Sequence, residues 1–520
     1  MENDFQLVLL MSCGVLLVAV LAVRLASRTG LPALLFYLAV GLLLGEAGLG
    51  VEFSDYALTA ELGLVALALI LAEGGLTTRW SVMRPVLPFA VVLATVGVAV
   101  SVTVVAGILL LVLDVSTQTA VILGSVVAST DAAAVFSVLR RLPLKSRISA
   151  ALEAESGLND APVVVLVVLA SSEAWATTSP AEGVLIVVLE LLGGAVLGLL
   201  VGRLGREVLQ RAALPSSGLY PLATVALALL AFAAGEVLHV SGFLAVYLAA
   251  LVLGNSPLPH RRAVLGFASS TALLAEAGLF VLLGLLASPE RLLPALPEAL
   301  LVGAAATLLG RPLSILVSAA PFRLPWREQV FLSWAGLRGA VPIVIATIPV
   351  TQGLPGAERV LDVVFVLVVV YTVVQAPTLP WVGRRLGVTE SGQAVDVQVE
   401  TAPLEQMRAD LLQLTIAPGS KMHGVYVEEL RLPPGAHVTL IVRDDQSLVP
   451  GPYTHFVTGD SVLVVAPSAV RAEAEARLRA VTRGGRDSAG GLFWLRLAAP
   501  LRGSELCSSP EPFKRSHAEK

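Results

Sequence analysis

Glu155-Ser156-Gly157-Leu158-Asn159-Asp160 is the stretch that decides the fold. Two acids, a hydroxyl and an amide stand here inside an otherwise apolar run, 148–172, and about 20 such residues suffice to cross a bilayer. A second run, 118–139, holds Ser129-Thr130-Asp131 near its centre. An ionisable side chain at that depth costs about 2.5–3.5 kcal/mol on insertion scales, so its presence there points to function.

The rest of the chain is of the same kind. It is 56% hydrophobic and 14% charged, with mean hydropathy +0.83, whereas soluble domains carry about 25% charged residues. The net charge of −4 gives no reason to expect a nucleic-acid partner; the partner implied is the lipid bilayer. Cys13 lies in the first apolar run and Cys507 near the C-terminus, which implies neither a disulfide framework nor a thiolate metal site. Met1-Glu2-Asn3-Asp4 lacks the positive start of a secretory signal, so the first run is read as a retained span.

Reading outward for apolar runs gives about thirteen helices, near 5–25, 31–49, 57–76, 86–113, 118–139, 148–172, 182–202, 218–236, 240–254, 264–287, 292–319, 328–350 and 358–382. The odd loops and their edges carry the basic residues: Arg24 and Arg28; Arg79 and Arg84; Arg140, Arg141, Lys145 and Arg147; Arg203, Arg206 and Arg211; Arg261 and Arg262; Arg323 and Arg327; then Arg384 and Arg385. The even loops hold only Arg291 and Arg359. This alternation places the N-terminus outside and the C-terminal region in the cytoplasm, and an error of one span would break it.

Thirteen spans divide as six, one and six, so that the halves enter the membrane from opposite sides as inverted repeats. Span five, with its mid-membrane acid, then corresponds to span twelve, with Gly336-Leu337-Arg338-Gly339-Ala340-Val341-Pro342. Interrupted helices at matching positions mark a transporter site. No residue-level repeat is visible, so the symmetry rests on topology alone. The expected fold is an all-α polytopic membrane protein, with inverted six-helix repeats and broken helices crossing at the midplane, in residues 1–385.

Residues 396–482 alternate strand-like runs with turns and close on a helical stretch, 468–482, as a small α+β cytoplasmic domain. Residues 483–520 are rich in Gly, Ser, Pro and charge and read as a disordered tail, in which Phe493-Trp494-Leu495 is an incidental apolar patch.

Ser156, Asn159 and Asp160 share a helical face by their i, i+3, i+4 spacing. Asp160 lies about 18 Å along its span and Asp131 about 20 Å along the preceding one, from the opposite side. Pro162 leaves the Leu158 carbonyl without its helical partner. Carboxylate, hydroxyl and free backbone oxygen together suit a hard monovalent cation. Low dielectric favours the neutral form of Asp160 and a bound cation favours the charged one, so cation and proton compete. The alternative is that such polar residues only hold helices together, which for Ser129 or Ser156 alone is the stronger reading. Thr130 either caps a broken helix or offers a backbone oxygen to the ion. Glu155 points to another face and needs a partner in the membrane; Arg311, before Pro312, is favoured over Arg338, which is assigned to the helix crossing, although Arg311 snorkelling to the cytoplasm is a competing reading. Glu73 either lines a cytoplasmic funnel or is an interfacial acid. Glu190, Glu236, Glu276 and Asp362 lie closer to span ends or lack companions.

In these motifs the chain resembles the monovalent cation:proton antiporters of the NhaP/NHE type over spans one to thirteen. The resemblance rests on Ser129-Thr130-Asp131, Glu155 through Asp160, Arg311-Pro312 and Gly336 through Pro342. It implies a homodimer in the cell membrane, an elevator-like motion of a six-helix core, exchange of Na+ or K+ for H+, and Asp160 as the shared carrier, with no cofactor. Because Asn159 stands where electrogenic relatives have a second Asp, electroneutral 1:1 exchange is expected. Residues 396–482 resemble the C-terminal (TrkA-C) subdomain of potassium-conductance regulators, through Pro450 and Gly459-Asp460. That domain tilts the expectation to the K+/H+ branch over Na+/H+ exchange and implies regulation by a small ligand or by dimerisation.

Two other classes fit less well. An intramembrane aspartyl protease would pair two acids, but proteases of that kind carry Gly-x-Gly-Asp, and Gly459-Asp460 lies in the soluble part. A regulated K+ channel needs a filter such as Thr-Val-Gly-Tyr-Gly, and none occurs. The protein is read as a secondary transporter and not an enzyme.

Overall fold

In hydrocarbon every backbone N–H and C=O must be paired within its own segment, so long apolar runs become helices. The computed structural model follows this rule. It describes most of residues 32–389 and 400–484, with scattered residues between 6 and 25; positions 47, 52, 140–143, 213, 405–408, 418, 444–445 and 468 lie outside the described residues. Most of expected span one, Arg28, Arg140, Arg141 and the tail with its Phe493-Trp494-Leu495 patch also fall outside them.

Spans two to thirteen each have a helical counterpart. In chain order these are α1 (Ala33–Leu44), α2 (Tyr56–Thr77), α3 (Leu87–Val112), α4 (Thr117–Ala128) with α5 (Ala132–Leu139), α6 (Ser146–Ser171), α7 (Pro180–Arg211), α8 (Leu219–Val237), α9 (Gly242–Gly254), α10 (Arg261–Leu286), α11 (Pro289–Phe322), α12 (Trp326–Trp334) with α13 (Ala340–Thr351), and α14 (Ala357–Leu386). Among the described residues, eight helices are long and apolar enough to span a bilayer. Local chemistry sets where they begin. The Asp55 carboxylate accepts from Leu58 N–H at 2.9 Å to start α2, and Ser179 and Glu182 form a reciprocal capping box at the start of α7.

The helices pack in two groups. One comprises α1, α2 and α7–α10; the other comprises α3–α6 and α11–α14, and they meet chiefly where α6 and α13 face α2, α9 and α10. Within the first group, Gly194, Gly198 and Gly202 bring the α7 backbone against Ser241, Ala245 and Ala249 at the start and along the length of α9. Small residues every fourth position permit that approach in a membrane.

Spans five and twelve are both interrupted, at 129–131 and 335–339. A residue-level trace of the repeat, not visible in the sequence, also appears. Spans four and eleven each contain one wide helical turn, Leu93–Gly97 and Ala305–Gly310. A Cβ on Gly97 would lie 2.8 Å from Ser314 Oγ, and one on Gly310 would lie 3.3 Å from Ser101 Oγ. Each glycine thus packs on the serine that follows its counterpart by four residues, the reciprocity that a two-fold relation produces.

The chain divides into two compact units at residue 390. In the second, β1 (Glu400–Leu404), β2 (Ala409–Thr415), β3 (His437–Arg443), β4 (Gln446–Leu448) and β5 (Ser461–Pro467) form an antiparallel sheet of order β1-β2-β5-β3-β4, followed by α15 (Arg471–Gly484). Burial alternates along β5, and Leu412, Leu414, Ile441, Phe456, Val462, Val464 and Leu478 form this unit's own core.

Candidate functional site

The site begins with the two broken helices. Ser129 is extended after the last turn of α4, and the Asp131 N–H donates to the Leu337 carbonyl at 2.8 Å, so the two breaks cross and bond. Asp131 also caps α5, its Oδ1 accepting from Ala134 N–H at 3.2 Å. Gly339 lies against this carboxylate, and a Cβ there would overlap Asp131 Oδ2. The crossing leaves helix C-termini, with their partial negative charge, inside the membrane. Two buried arginines answer them. Arg338 Nε donates to the Val127 carbonyl at 2.8 Å at the end of α4, and Arg311 Nη2 donates to the Leu332 carbonyl at 3.3 Å near the end of α12.

Glu155 and Arg311 form a buried bidentate pair, with Arg311 Nη1 donating to Oε1 and Nη2 to Oε2, the latter at 2.8 Å. This is the expected pairing, and both side chains are buried rather than snorkelling. The Arg338 guanidinium lies over the Tyr371 ring at 5.1 Å, and the Tyr371 hydroxyl is bonded to that of Thr307 at 2.5 Å.

Asp160 lies beside the crossing. Ser129 Oγ donates to its Oδ1 at 2.7 Å, and Asn159 Nδ2 donates to Thr130 Oγ1 at 2.8 Å. All four side chains are buried. A cavity of about 180 Å³ opens from this point, lined by Thr130, Asp131, Ser156, Asp160, Glu73, Glu153, Tyr247 and Glu276 among others. That is far more than the ~10–15 Å³ one water needs. The cavity extends to Glu73, Thr77 and Thr78 at the end of α2, beside the third loop.

The expected ligand set is thus brought together, with two corrections. Helix α6 runs unbroken through Pro162, but Leu158, whose carbonyl Pro162 leaves without its helical partner, is not among the cavity-lining residues. Glu276 does not lack companions: Glu73 and Glu153 line the same cavity. It lies in the middle of α10 and lines the cavity. Glu73 also lines it, its Oε1 accepting from Ser269 Oγ at 3.0 Å. Glu190, Glu236 and Asp362 do not line it, and Asp362 faces Arg291 at 3.9 Å.

The comparisons with known proteins fall on this frame. Residues 15–385 match the family model described as sodium/hydrogen exchanger, transmembrane. The chain belongs to that family. Residues 411–479 match the TrkA-C domain. The antiporter is 35% identical to the K(+)/H(+) antiporter NhaP of Alkalimonas amylolytica, covering 87% of this chain and 80% of that protein. It is 33% identical to the K(+)/H(+) antiporter NhaP2 of Shewanella baltica strain OS223, covering 86% and 79%. Its fold matches the sodium proton antiporter MjNhaP1 of Methanocaldococcus jannaschii at pH 8, with TM-score 0.63 and 21% identity over 73% of this chain and 99% of that one.

Ser129, for which a contact between helices is the stronger sequence reading, makes such a contact with Asp160. Sequence reading missed two residues that line this cavity. Glu153 lines the cavity, and its i, i+3, i+7 spacing to Ser156 and Asp160 was the available signal. Tyr247 lines it from α9, and nothing in the apolar sequence around it distinguishes that tyrosine.

Proposed function

We propose that the protein exchanges K+ for H+ across the cell membrane, with a proton and a cation competing for Asp160. One observation carries this reading. Asp160, bonded to Ser129, stands at the head of a cavity beside Asp131 and Thr130. A lone carboxylate is costly in apolar surroundings, and either a proton or an alkali ion relieves it. Thr130, Asp131, Ser156 and Asp160 supply oxygen ligands for a hard cation, and Glu73 and Glu153 line the approach. Asn159 steadies Thr130, while Glu155, Arg311 and Arg338 hold the frame. With one carrier acid, exchange is 1:1 and electroneutral.

The basic odd loops support a cytoplasmic C-terminal unit and a cavity open to the cytoplasm. The protein works as a homodimer, and its C-terminal unit takes a regulatory small ligand. K+ is favoured by the names of the two relatives in sequence; the sodium proton antiporter that shares the fold favours Na+ as the second reading. Everted membrane vesicles carrying a pH-sensitive dye test both. Added K+ is expected to release accumulated protons without generating voltage, and Asp160→Asn to be inert. Release by Na+ alone assigns the second reading, and no release by either cation overturns both.

A further inference from the structure

The two helix groups touch at one contact that bears directly on Asp160. Gly157 of α6 lies against the hydroxyl end of the ring of Tyr247 of α9. A Cβ on Gly157 would sit 2.5 Å from Cζ and 2.8 Å from Oη of that ring. The ring is not free to swing away: Tyr247 is 1% exposed and its hydroxyl donates toward Met83 Sδ at 3.8 Å. One turn to either side on α6 stand Ala154 and Ala161, both buried and both bearing a methyl. Of these three positions Gly157 alone lets a ring approach so closely. It is a notch, and Tyr247 occupies it.

Gly157 is three residues from Asp160 on a continuous helix, so the seat of the ring sets the height of Asp160 against α9 and against the cavity that both residues line. Alternating access requires a second arrangement, in which one helix group has moved relative to the other. A displacement of α6 along α9 brings a methyl-bearing residue opposite the ring. We infer that Tyr247, seated against Gly157, is a positioning residue: it is the stop that holds Asp160 in the cavity-open conformation. This rests on the antiport reading above.

The test uses the full-length protein with Cys13 and Cys507 replaced by Ser, and a reporter, Thr77→Cys, in the cavity wall. Labelling of the reporter by a membrane-impermeant maleimide from the third-loop side measures the cavity-open population. Cation half-saturation from the same side is measured in parallel, since it scales inversely with that population. Gly157→Ala forces a methyl under a fixed ring and is expected to slow labelling about tenfold or more and to raise half-saturation in proportion. Tyr247→Leu removes the atoms that meet that methyl and with them the stop itself, so Gly157→Ala/Tyr247→Leu is expected to label faster than Gly157→Ala and to match Tyr247→Leu alone, both below the parent. Tyr247→Phe keeps the ring and is expected to match the parent. Unchanged labelling in a folded Gly157→Ala protein, a half-saturation change without a labelling change, or a double variant no better than Gly157→Ala would each overturn the inference. If Gly157→Ala alone does not fold, the double variant decides. Failure of both to give monodisperse protein assigns the contact to folding and also overturns it. A parent without cation:proton exchange defeats the antiport reading instead, and the labelling series identifies that case separately.

Discussion

Ser129 and Glu155 show two kinds of buried polar contact with different expected costs. The Ser129 hydroxyl stabilises the Asp160 carboxylate at 2.7 Å, and a hydrogen bond to a charged group is worth about 1.5–3 kcal/mol. Ser129→Ala is therefore expected to raise the cation half-saturation roughly tenfold or more in reconstituted protein, while Ser125→Ala, a buried neighbour one turn away on α4, leaves it unchanged. Removing one member of the Glu155–Arg311 pair strands a charge, at about 3–5 kcal/mol, whereas replacing both by apolar or neutral groups costs far less. Thermal unfolding in detergent should thus rank Arg311→Met well below Glu155→Gln/Arg311→Met. The pair was legible in the sequence because each charge, alone in a span, demands a partner. The Ser129 contact was not, because a serine in a membrane helix ordinarily bonds its own backbone.

The decisive element is the crossing of two broken helices. Its positions were readable: Asp131 and the Gly336–Pro342 stretch are poor company for a continuous apolar helix, and the breaks fall at 129–131 and 335–339. What else lines the cavity was only partly readable: Glu276 was a named candidate whose companions come from other helices, and Tyr247 sits in a helix with an ordinary apolar pattern. Gly339 is the residue on which the crossing depends sterically. A methyl there would overlap the Asp131 carboxylate, so Gly339→Ala is expected to abolish exchange while Gly107→Ala, in α3 with open space around it, lowers activity little; equal activity in the two variants would refute the packing described. In the second unit the corresponding buried element is Asp460, which accepts from Arg443 Nε and Nη2 at 2.8 Å each and from Val457 N–H at 2.7 Å. Burial pushes its carboxyl up, but these donors outweigh that and hold it below the usual carboxylate range. Its folded value is lower than the unfolded value of about 3.9, so the stability it lends is complete above that value and is lost as pH falls through the lower one. Acid unfolding of this unit followed by hydrogen exchange should show that loss, and Asp460→Asn should remove this part of the pH dependence.

At the scale of the whole molecule, the exit from the membrane unit is tied to the helix that carries Asp160. Helix α14 ends at Gly387 in the left-handed conformation, and the next residues return to the start of α6: Lys145 N–H donates to the Val388 carbonyl at 3.1 Å, and Leu144 bridges Thr389. This tie joins the last described residues of the membrane unit to the start of α6. Lys145 has φ −55° and ψ 131°, which proline tolerates, and Leu144 is extended as the residue before proline must be. Lys145→Pro therefore removes the N–H with little other backbone cost, and Lys145→Ala removes only the side chain. The first is expected to change the exchange rate of the full-length protein and the second to leave it near the parent; indistinguishable rates would show that this tie transmits nothing. None of this was legible in the sequence, because a backbone bond between residues 145 and 388 leaves no side-chain signature.

The proposed exchange rests on Asp160 as the seat that cation and proton take in turn. The most direct measurement is the K+ half-saturation of exchange in proteoliposomes, followed as the pH on the cation side is lowered. Competition for one carboxylate predicts that half-saturation rises by about tenfold per pH unit at acid pH with the maximal rate preserved, and that Asp160→Asn shows no exchange at any pH. A maximal rate that falls while half-saturation stays constant, or exchange that survives Asp160→Asn, would contradict it.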